Sequence, residues 1–361
     1  MVEYFLVLIL VCFGIFTINS SEKNINISYF RIKYRFTSKD ISFMFTFFVL
    51  AFVSLIRDDL GCDYESYLMH IKNIQYGFAS YMEIGFQTII HVLSDIDGNP
   101  RFVIIIFSII TCYFFTKAIW EQSNNVLFST FIFISWGYYF LSFNTIRNFF
   151  ALSLAIFSLK YIINKEFFRF VFVIILASLF HKSALFCLPI YYLATFRYGK
   201  NQIPVIIIIL LICILLPHQI RELMFLIYPG YEGSVYDANR VSWLNVLRSF
   251  CVVSLCVLYF KYINEDSRIR VYYNLNLFSL LFYIGLYWTP EASRLGFYMN
   301  STSMILLPLI LSKVENKKIK FIIELSIIIF SIILFYLMLL EFYSPTVRLL
   351  PYKTWLFSGK Y

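Results

Sequence analysis

Charge is scarce in this chain. Asp, Glu, Lys and Arg supply 14% of the 361 residues, against about 25% in soluble domains. With a mean hydropathy of +0.75, that shortage excludes a soluble globular enzyme and a disordered chain alike. Only four residues are histidine. The seven cysteines (Cys12, Cys62, Cys112, Cys187, Cys213, Cys251 and Cys256) include no pair at metal-ligand spacing, and a disulfide framework is not expected. No P-loop, G-x-G-x-x-G, zinc pattern or Ser–His–Asp signature is present. No repeat, low-complexity tract or heptad pattern occurs. A nucleotide-binding domain of about 100 or more soluble residues has nowhere to fit.

What is present is apolar. The hydrophobic share is 60%, which at about 20 residues per span fills roughly ten to twelve membrane helices. Apolar runs lie near 2–18, 41–56, 102–119, 126–142, 147–163, 167–181, 183–196, 203–217, 245–262, 273–289, 294–312 and 321–342, so the expected fold is an all-α polytopic membrane protein with about twelve crossings. The 167–196 stretch reads either as a hairpin or as a broken helix. The gaps between runs sort into two sides. One holds 18 Lys and Arg against 8 acids, the other 12 against 13, netting +10 and −1 of the overall +9. The positive-inside rule makes the first side cytoplasmic and puts both termini outside. The basic excess is then topological, and no nucleic acid is needed to explain it. The first segment, Met1 to Ile18, carries Glu3, no basic n-region and no small-x-small site, and reads as an uncleaved helix rather than a signal peptide.

Two outward loops are long, 57–101 and 218–244. Within the first, 82–94 reads as an amphipathic interfacial helix. Charges near the bilayer need a reason. Arg57, Arg101, Arg147, Arg248 and Arg294, with His181 and Lys182, all fall near the outer interface in this topology. For Arg101 and Arg248 we expect side chains that snorkel to headgroups. Taken together, outward guanidinium groups suit phosphate oxygens and point to an anion site. Asp58, Asp59 and Asp63 sit just outside a span, where an acid could deprotonate a hydroxyl or hold a cation, although a solvated acidic loop explains them equally well. Glu65, Glu83, Asp95, Asp97 and Glu291 are the other acidic candidates. Asp95-Ile96-Asp97 has the aspartate-x-aspartate form of metal-dependent sugar transferases, but that motif belongs to a soluble domain this chain lacks, and Asp97-Gly98-Asn99-Pro100 reads as a turn. Tyr64, Tyr67, Tyr231, Trp243 and Trp288 read first as an interfacial belt.

These residues resemble the EpsG-type branch of the Wzy polysaccharide polymerases over most of the chain. Arg57 and Gly61-Cys62-Asp63-Tyr64-Glu65-Ser66-Tyr67 are similar to the family's R…G-x-D-Y-x-x-Y loop, and Glu83-Ile84-Gly85-Phe86 to its E-x-G-F element. Asn144-Thr145-Ile146-Arg147 resembles N-x-x-R, with Asn148 where the family often has Gln. Phe180-His181-Lys182-Ser183-Ala184-Leu185 resembles F-H-x-S-A-L, and Arg294 with Tyr298 the late R-x-x-x-Y. The resemblance implies a GT-C-like bundle in a bacterial inner membrane that joins undecaprenyl-diphosphate-linked oligosaccharide repeat units at the periplasmic face and releases undecaprenyl diphosphate. It implies Arg147, Arg294 and Arg57 as diphosphate-binding groups, and His181, Asp63 or Glu83 as the base. It makes Tyr64, Tyr67, Asn144 and Tyr298 substrate-binding residues, and stacking on sugar faces is the second reading of Tyr64, Tyr67, Tyr231, Trp243 and Trp288. No metal or cofactor is expected. Besides the lipid-linked oligosaccharide and the bilayer, a chain-length regulator protein is a partner the resemblance allows. An O-antigen ligase is the competing enzyme. A lipid-linked oligosaccharide flippase is the competing transporter, but it should show polar groups at both faces, whereas here the long loops face one way. A membrane acyltransferase would pair its His with an acid a few residues later, and after His181 the next acid is Glu222.

Overall fold

The computed structural model describes all residues except 22–24, 30–31, 198–207, 209–210, 213–214, 228–231, 234–241, 288–291 and 358–361. Cys213, Tyr231, Trp288, Glu291, most of the expected 203–217 span and much of the 218–244 loop lie outside the described residues. In chain order the helices are α1 Val2–Ser20, α2 Ser38–Leu55, α3 Tyr64–Gln75, α4 Ile84–Ser94, α5 Pro100–Gln122, α6 Val126–Ser135, α7 Tyr138–Leu141, α8 Ile146–Ile163, α9 Phe167–Ser178 and α10 Ile190–Thr195. There follow α11 Pro217–Ile227, α12 Trp243–Leu258, α13 Phe260–Glu265, α14 Ser267–Gly285, α15 Ala292–Asn300, α16 Ser303–Leu311 and α17 Lys317–Glu341. The chain departs from an all-helical reading at one antiparallel hairpin, β1 Ile25–Tyr29 with β2 Ile32–Phe36, in a stretch rich in β-branched and aromatic residues.

Where composition suggests about twelve crossings, five helices among the described residues are long and apolar enough to span a bilayer: α1, α2, α5, α8 and α17. Shorter apolar helices are α4, α6, α9 and α12. Hydropathy registers an apolar run whether or not its backbone stays helical, and several runs are interrupted. The 126–142 run breaks at Gly137, whose φ of +82° ends one helix and starts the next. The 167–196 run folds back as a hairpin: Phe167 and Phe170 of α9 meet Tyr191 of α10 with ring centroids 5.0 and 5.6 Å apart, and a 3-10 turn over Lys182–Cys187 lies between the two helices. The 294–312 run divides between α15 and α16. Helix starts are set by local capping. Thr37 and Asp40 form a reciprocal capping box at α2. Asn99 accepts from the Arg101 amide with Pro100 in the first turn of α5, so the Asp97–Pro100 turn is a helix entry.

The described chain divides into two compact units. The first comprises residues 1–157, 175–182 and 314–361. In it α1 packs on α2 and α2 on α5, α3 and α4 pair and rest on α5, and α17 meets α6. The Trp136 indole donates to Ser331 Oγ at 2.8 Å across that last contact. Four phenylalanines, Phe86, Phe107, Phe150 and Phe180, form a continuous cluster with ring centroids 4.6 to 5.8 Å apart. Such pairs add about 0.5–1.5 kcal/mol each beyond burial. They tie α4, α5, α8 and the end of α9 together beneath the polar residues described below.

Beyond α17, the stretch from Phe342 to Phe357 returns to the end of α2. Trp355 Nε1 donates to Leu55 O at 3.0 Å, Tyr352 Oη to Val53 O at 2.6 Å, and the Tyr4 hydroxyl to Leu349 O. The Gly61 amide donates to Arg348 O at 2.8 Å and the Asp58 amide to Lys353 O at 3.0 Å. Asp59 bridges Arg348 at 2.6 Å and Lys353 at 2.8 Å, and Asp58 bridges Arg101 at 2.7 Å. Asp58 and Asp59 are therefore engaged in ion pairs rather than lying in a solvated loop, and Arg101 pairs instead of snorkelling.

The second unit comprises residues 158–174 and 183–313. It is organised around α14, which contacts α10, α12, α13, α15 and α16. Arg248 does not snorkel either. It is 3% exposed and donates to Asn245 Oδ1 at 3.2 Å, and the Asn300 amide reaches Asn245 and the Tyr283 hydroxyl. Gly296 lies against Tyr283, where a Cβ would overlap the phenol oxygen.

Candidate functional site

The densest convergence of sequence-expected residues is in the first unit. Glu83 is the N-cap of α4, with extended backbone (φ −61°, ψ 147°) and no side-chain capping bond. Its carboxylate turns elsewhere. Arg147 Nη1, from the first turn of α8, donates to Oε2. His181 Nδ1 lies 3.2 Å from Oε1, and the Lys182 backbone amide donates to the same oxygen at 3.2 Å. An ionised carboxylate only accepts, so Nδ1 carries a proton, and in the neutral imidazole the lone pair is then on Nε2.

The motif residues around this centre have physical reasons. The Gly85 amide donates to Leu179 O at 2.9 Å, and a Cβ at residue 85 would sit 2.7 Å from that oxygen. Only glycine lets the start of α4 come this close to the end of α9 and bring Glu83 to His181. Phe86 and Phe180 belong to the phenylalanine cluster below. Arg147 lies over the rings of Phe86 and Tyr67, 5.7 and 5.8 Å from their centroids. Gly61 takes φ +96° against Asn144. Asn144 Oδ1 accepts from the Asp63 amide at 3.1 Å and from Cys62 Sγ at 3.4 Å.

The centre is nearly dry, with side-chain exposure of 10% for Glu83, 14% for Arg147 and 17% for His181. Burial alone would raise the Glu83 pKa. The His181 hydrogen bond and the Arg147 charge outweigh it and hold the carboxyl down to about 2. Glu83 is thus a committed anion and a poor proton acceptor, and its geometry is that of a group that orients His181. Its folded pKa lies below the ordinary 4.5, so its contribution to stability is complete above about pH 4.5 and lost as pH falls toward 2, on the order of 3 kcal/mol. In detergent, the melting advantage of wild type over Glu83→Gln should fall progressively as pH drops below about 5 and vanish only below about pH 2. An advantage that persists at the lowest pH would show that the carboxylate is not the stabilising group.

The remaining expected residues are placed as follows. Arg57 is 2% exposed, its Nη1 on Ser54 O and Oγ at 3.1 and 2.6 Å and its guanidinium 4.6 Å from the Phe143 centroid. Tyr64 and Tyr67 are 2% and 7% exposed, so neither ring is open for stacking. Asp63 is half-buried at the N-cap of α3. In the second unit, Tyr298 is buried with its hydroxyl 3.0 Å from Ser183 Oγ, and Arg294 is half-buried on the same helix, α15. Among the described residues, no three His, Cys, Asp or Glu side chains gather as a metal site. The Lys182 amide was not anticipated, because a backbone donor leaves no trace in residue type. A family model, the EpsG family, matches residues 40–354. No curated protein and no solved structure matches the chain.

Proposed function

The chain belongs to the EpsG family, and from that premise we propose that it is a membrane polysaccharide polymerase acting on undecaprenyl-diphosphate-linked oligosaccharide repeat units at the outer face of the cytoplasmic membrane. The growing chain passes from its lipid diphosphate to a hydroxyl on the non-reducing-end sugar of the next unit. The acceptor hydroxyl gives its proton to His181 Nε2, a group whose ordinary pKa is near the working pH. Glu83 holds that imidazole in the required tautomer. Undecaprenyl diphosphate leaves, and guanidinium groups balance the charge that develops on it.

One observation carries this reading. Arg147 gives one nitrogen to Glu83, while its Nε is buried with no hydrogen-bond partner among the described residues. Buried donors are almost always satisfied, and phosphate, like carboxylate, matches the geometry of a guanidinium fork. Arg294 and, less accessibly, Arg57 are the further cations proposed for the diphosphate. The basic gaps between apolar runs support the outward orientation of the 57–101 loop.

The test is a strain lacking this gene. Its lipid extract should accumulate single repeat units on the diphosphate carrier, and its surface-polysaccharide gel should lack the polymer ladder. Wild type should restore the ladder; Arg147→Ala and His181→Ala, at matched protein levels, should not. A deletion strain that still makes polymer, or that lacks lipid-linked repeats on the outer face, would overturn the polymerase reading.

A further inference from the structure

Tyr64 and Tyr67 are buried, yet an oligosaccharide acceptor needs a surface beside the Glu83 centre. We infer that Tyr81 and His70 form the acceptor-sugar subsite, with the Tyr81 ring as a platform for a pyranose face and its phenol oxygen as an acceptor for a sugar hydroxyl. This inference rests on the polymerase reading and deepens it.

The argument begins with exposure. Tyr81 is 73% exposed, two residues before Glu83. It is nonetheless held in place. Its hydroxyl lies 3.2 Å from His70 Nε2, and the two rings meet edge to face at 86° with centroids 5.1 Å apart. His70 follows Tyr67 by one turn of α3, so it stands on the helix that supports Arg147. Both His70 and Tyr81 lie within electrostatic reach of Arg147. Burial, and then the Arg147 charge, push the His70 pKa below its ordinary value, which keeps the imidazole neutral. A neutral His70 has one nitrogen lone pair. When Nε2 carries it, the Tyr81 hydroxyl donates there and the phenol oxygen keeps its lone pairs for a ligand.

The backbone that carries the ring is also pinned. Gly77 turns the chain at φ +79° and its amide donates to Ile74 O at 3.0 Å, while the Phe78 amide donates to Asn73 O at 2.9 Å. Past the turn, Gln87 Nε2 donates to Ser80 O at 3.4 Å and to Met82 O, and Met82 is buried. Tyr81 lies between these two anchored residues. A water-exposed aromatic that is fixed at its backbone and at its hydroxyl is a preorganised recognition surface, since tyrosine offers a large amphipathic face for little ordering entropy. A pyranose matches both features, with C–H bonds for the ring face and hydroxyls for the phenol oxygen. A residue serving only the membrane interface needs neither the hydroxyl bond nor the pinned loop. Tyr76, similarly exposed at 77%, provides the contrast, because among the described residues no hydrogen bond holds its hydroxyl.

The probe is the repeat-unit oligosaccharide from the polymerase-deficient strain, released by mild acid so that it carries neither lipid nor diphosphate. Binding to full-length protein in nanodiscs is read by saturation-transfer NMR and by titration. Tyr81→Ala should weaken binding about tenfold. Tyr81→Phe, which keeps the ring, and His70→Phe, which removes the hydroxyl's partner, should each weaken it about two- to fivefold. Tyr76→Ala should bind as wild type does. Equal affinity for wild type and Tyr81→Ala, or wild type that does not bind, would overturn the subsite. A parallel polymerisation assay uses the intact lipid-linked unit. Wild type that binds the free oligosaccharide through Tyr81 but makes no polymer would overturn the polymerase reading and leave the subsite standing.

Discussion

Glu83→Gln should abolish the polymer ladder while the protein remains in the membrane. The substitution keeps volume and shape but removes the charge that Arg147 and His181 share. If the amide oxygen stays with His181 Nδ1 and the Lys182 amide, the NH2 group faces Arg147 Nη1, donor against donor. Arg147 then has a buried guanidinium without its counter-ion, a change that costs about 3–5 kcal/mol when one partner of a buried pair is removed. The alternative rotamer relieves Arg147 and turns the NH2 toward His181, which must then present Nδ1 as acceptor and lose the lone pair at Nε2. Either way the imidazole is no longer held as a base. Loss of such a base costs about 10²–10⁴-fold in rate. Initial rates on extracted lipid-linked repeat units give the number, and the protein's melting temperature at pH 7 separates lost chemistry from lost fold. A Glu83→Gln protein that polymerises within about threefold of wild type would remove Glu83 from this role.

Gly85→Ala should have the second largest effect, and by a different route. The added methyl would stand 2.7 Å from Leu179 O and 2.8 Å from Leu179 Cβ. Backbone cannot swing aside as a side chain can, and that oxygen also accepts from the Gly85 amide at 2.9 Å. The start of α4 must therefore move away from the end of α9. Glu83 lies two residues before Gly85, and His181 two residues after Leu179, so the displacement opens the carboxylate–imidazole contact directly. Overpacking of this kind costs about 1–3 kcal/mol, and a displacement near 1 Å in a catalytic pair costs about 10²-fold in rate. Gly98→Ala is the matched control. Nothing lies within 4 Å of a Cβ there, and its rate and stability should equal wild type. Equal activity in both variants would show that the α4–α9 approach does not set the site.

How much of this was readable in advance follows from distance along the chain. The E-x-G-F, N-x-x-R and F-H-x-S-A-L segments drew attention to Glu83, Arg147 and His181 singly. Nothing in residue type or spacing announces that Glu83 and His181, 98 positions apart, share a hydrogen bond. Tyr64 and Tyr67 are buried for a local reason. Tyr64, Tyr67, Ile71 and Ile74 form the buried stripe of α3, spaced by three and four as an amphipathic helix requires. The intervening Glu65, His70 and Lys72 made that stretch look like loop, so its tyrosines looked outward. Hydropathy is blind to Gly137 in the left-handed region, which divides the 126–142 run, and among the described residues five helices are long and apolar enough to span. The division into two units, each built from segments that are discontinuous in sequence, is not announced by any single boundary along the chain.

The return of residues 342–357 to the end of α2 bears on when the protein becomes competent during synthesis. Arg348 is translated 289 residues after its partner Asp59, and Gly61, whose amide needs Arg348 O, positions the segment that meets Asn144. At roughly 5–20 residues per second, that interval is on the order of 15–60 s. Throughout it, α2 to α8 can insert and pack while the 57–62 turn waits for its closing strand. A chain truncated before residue 342 would insert in the membrane but still lack this closure, so assembly of the site waits for synthesis of residues 342–357.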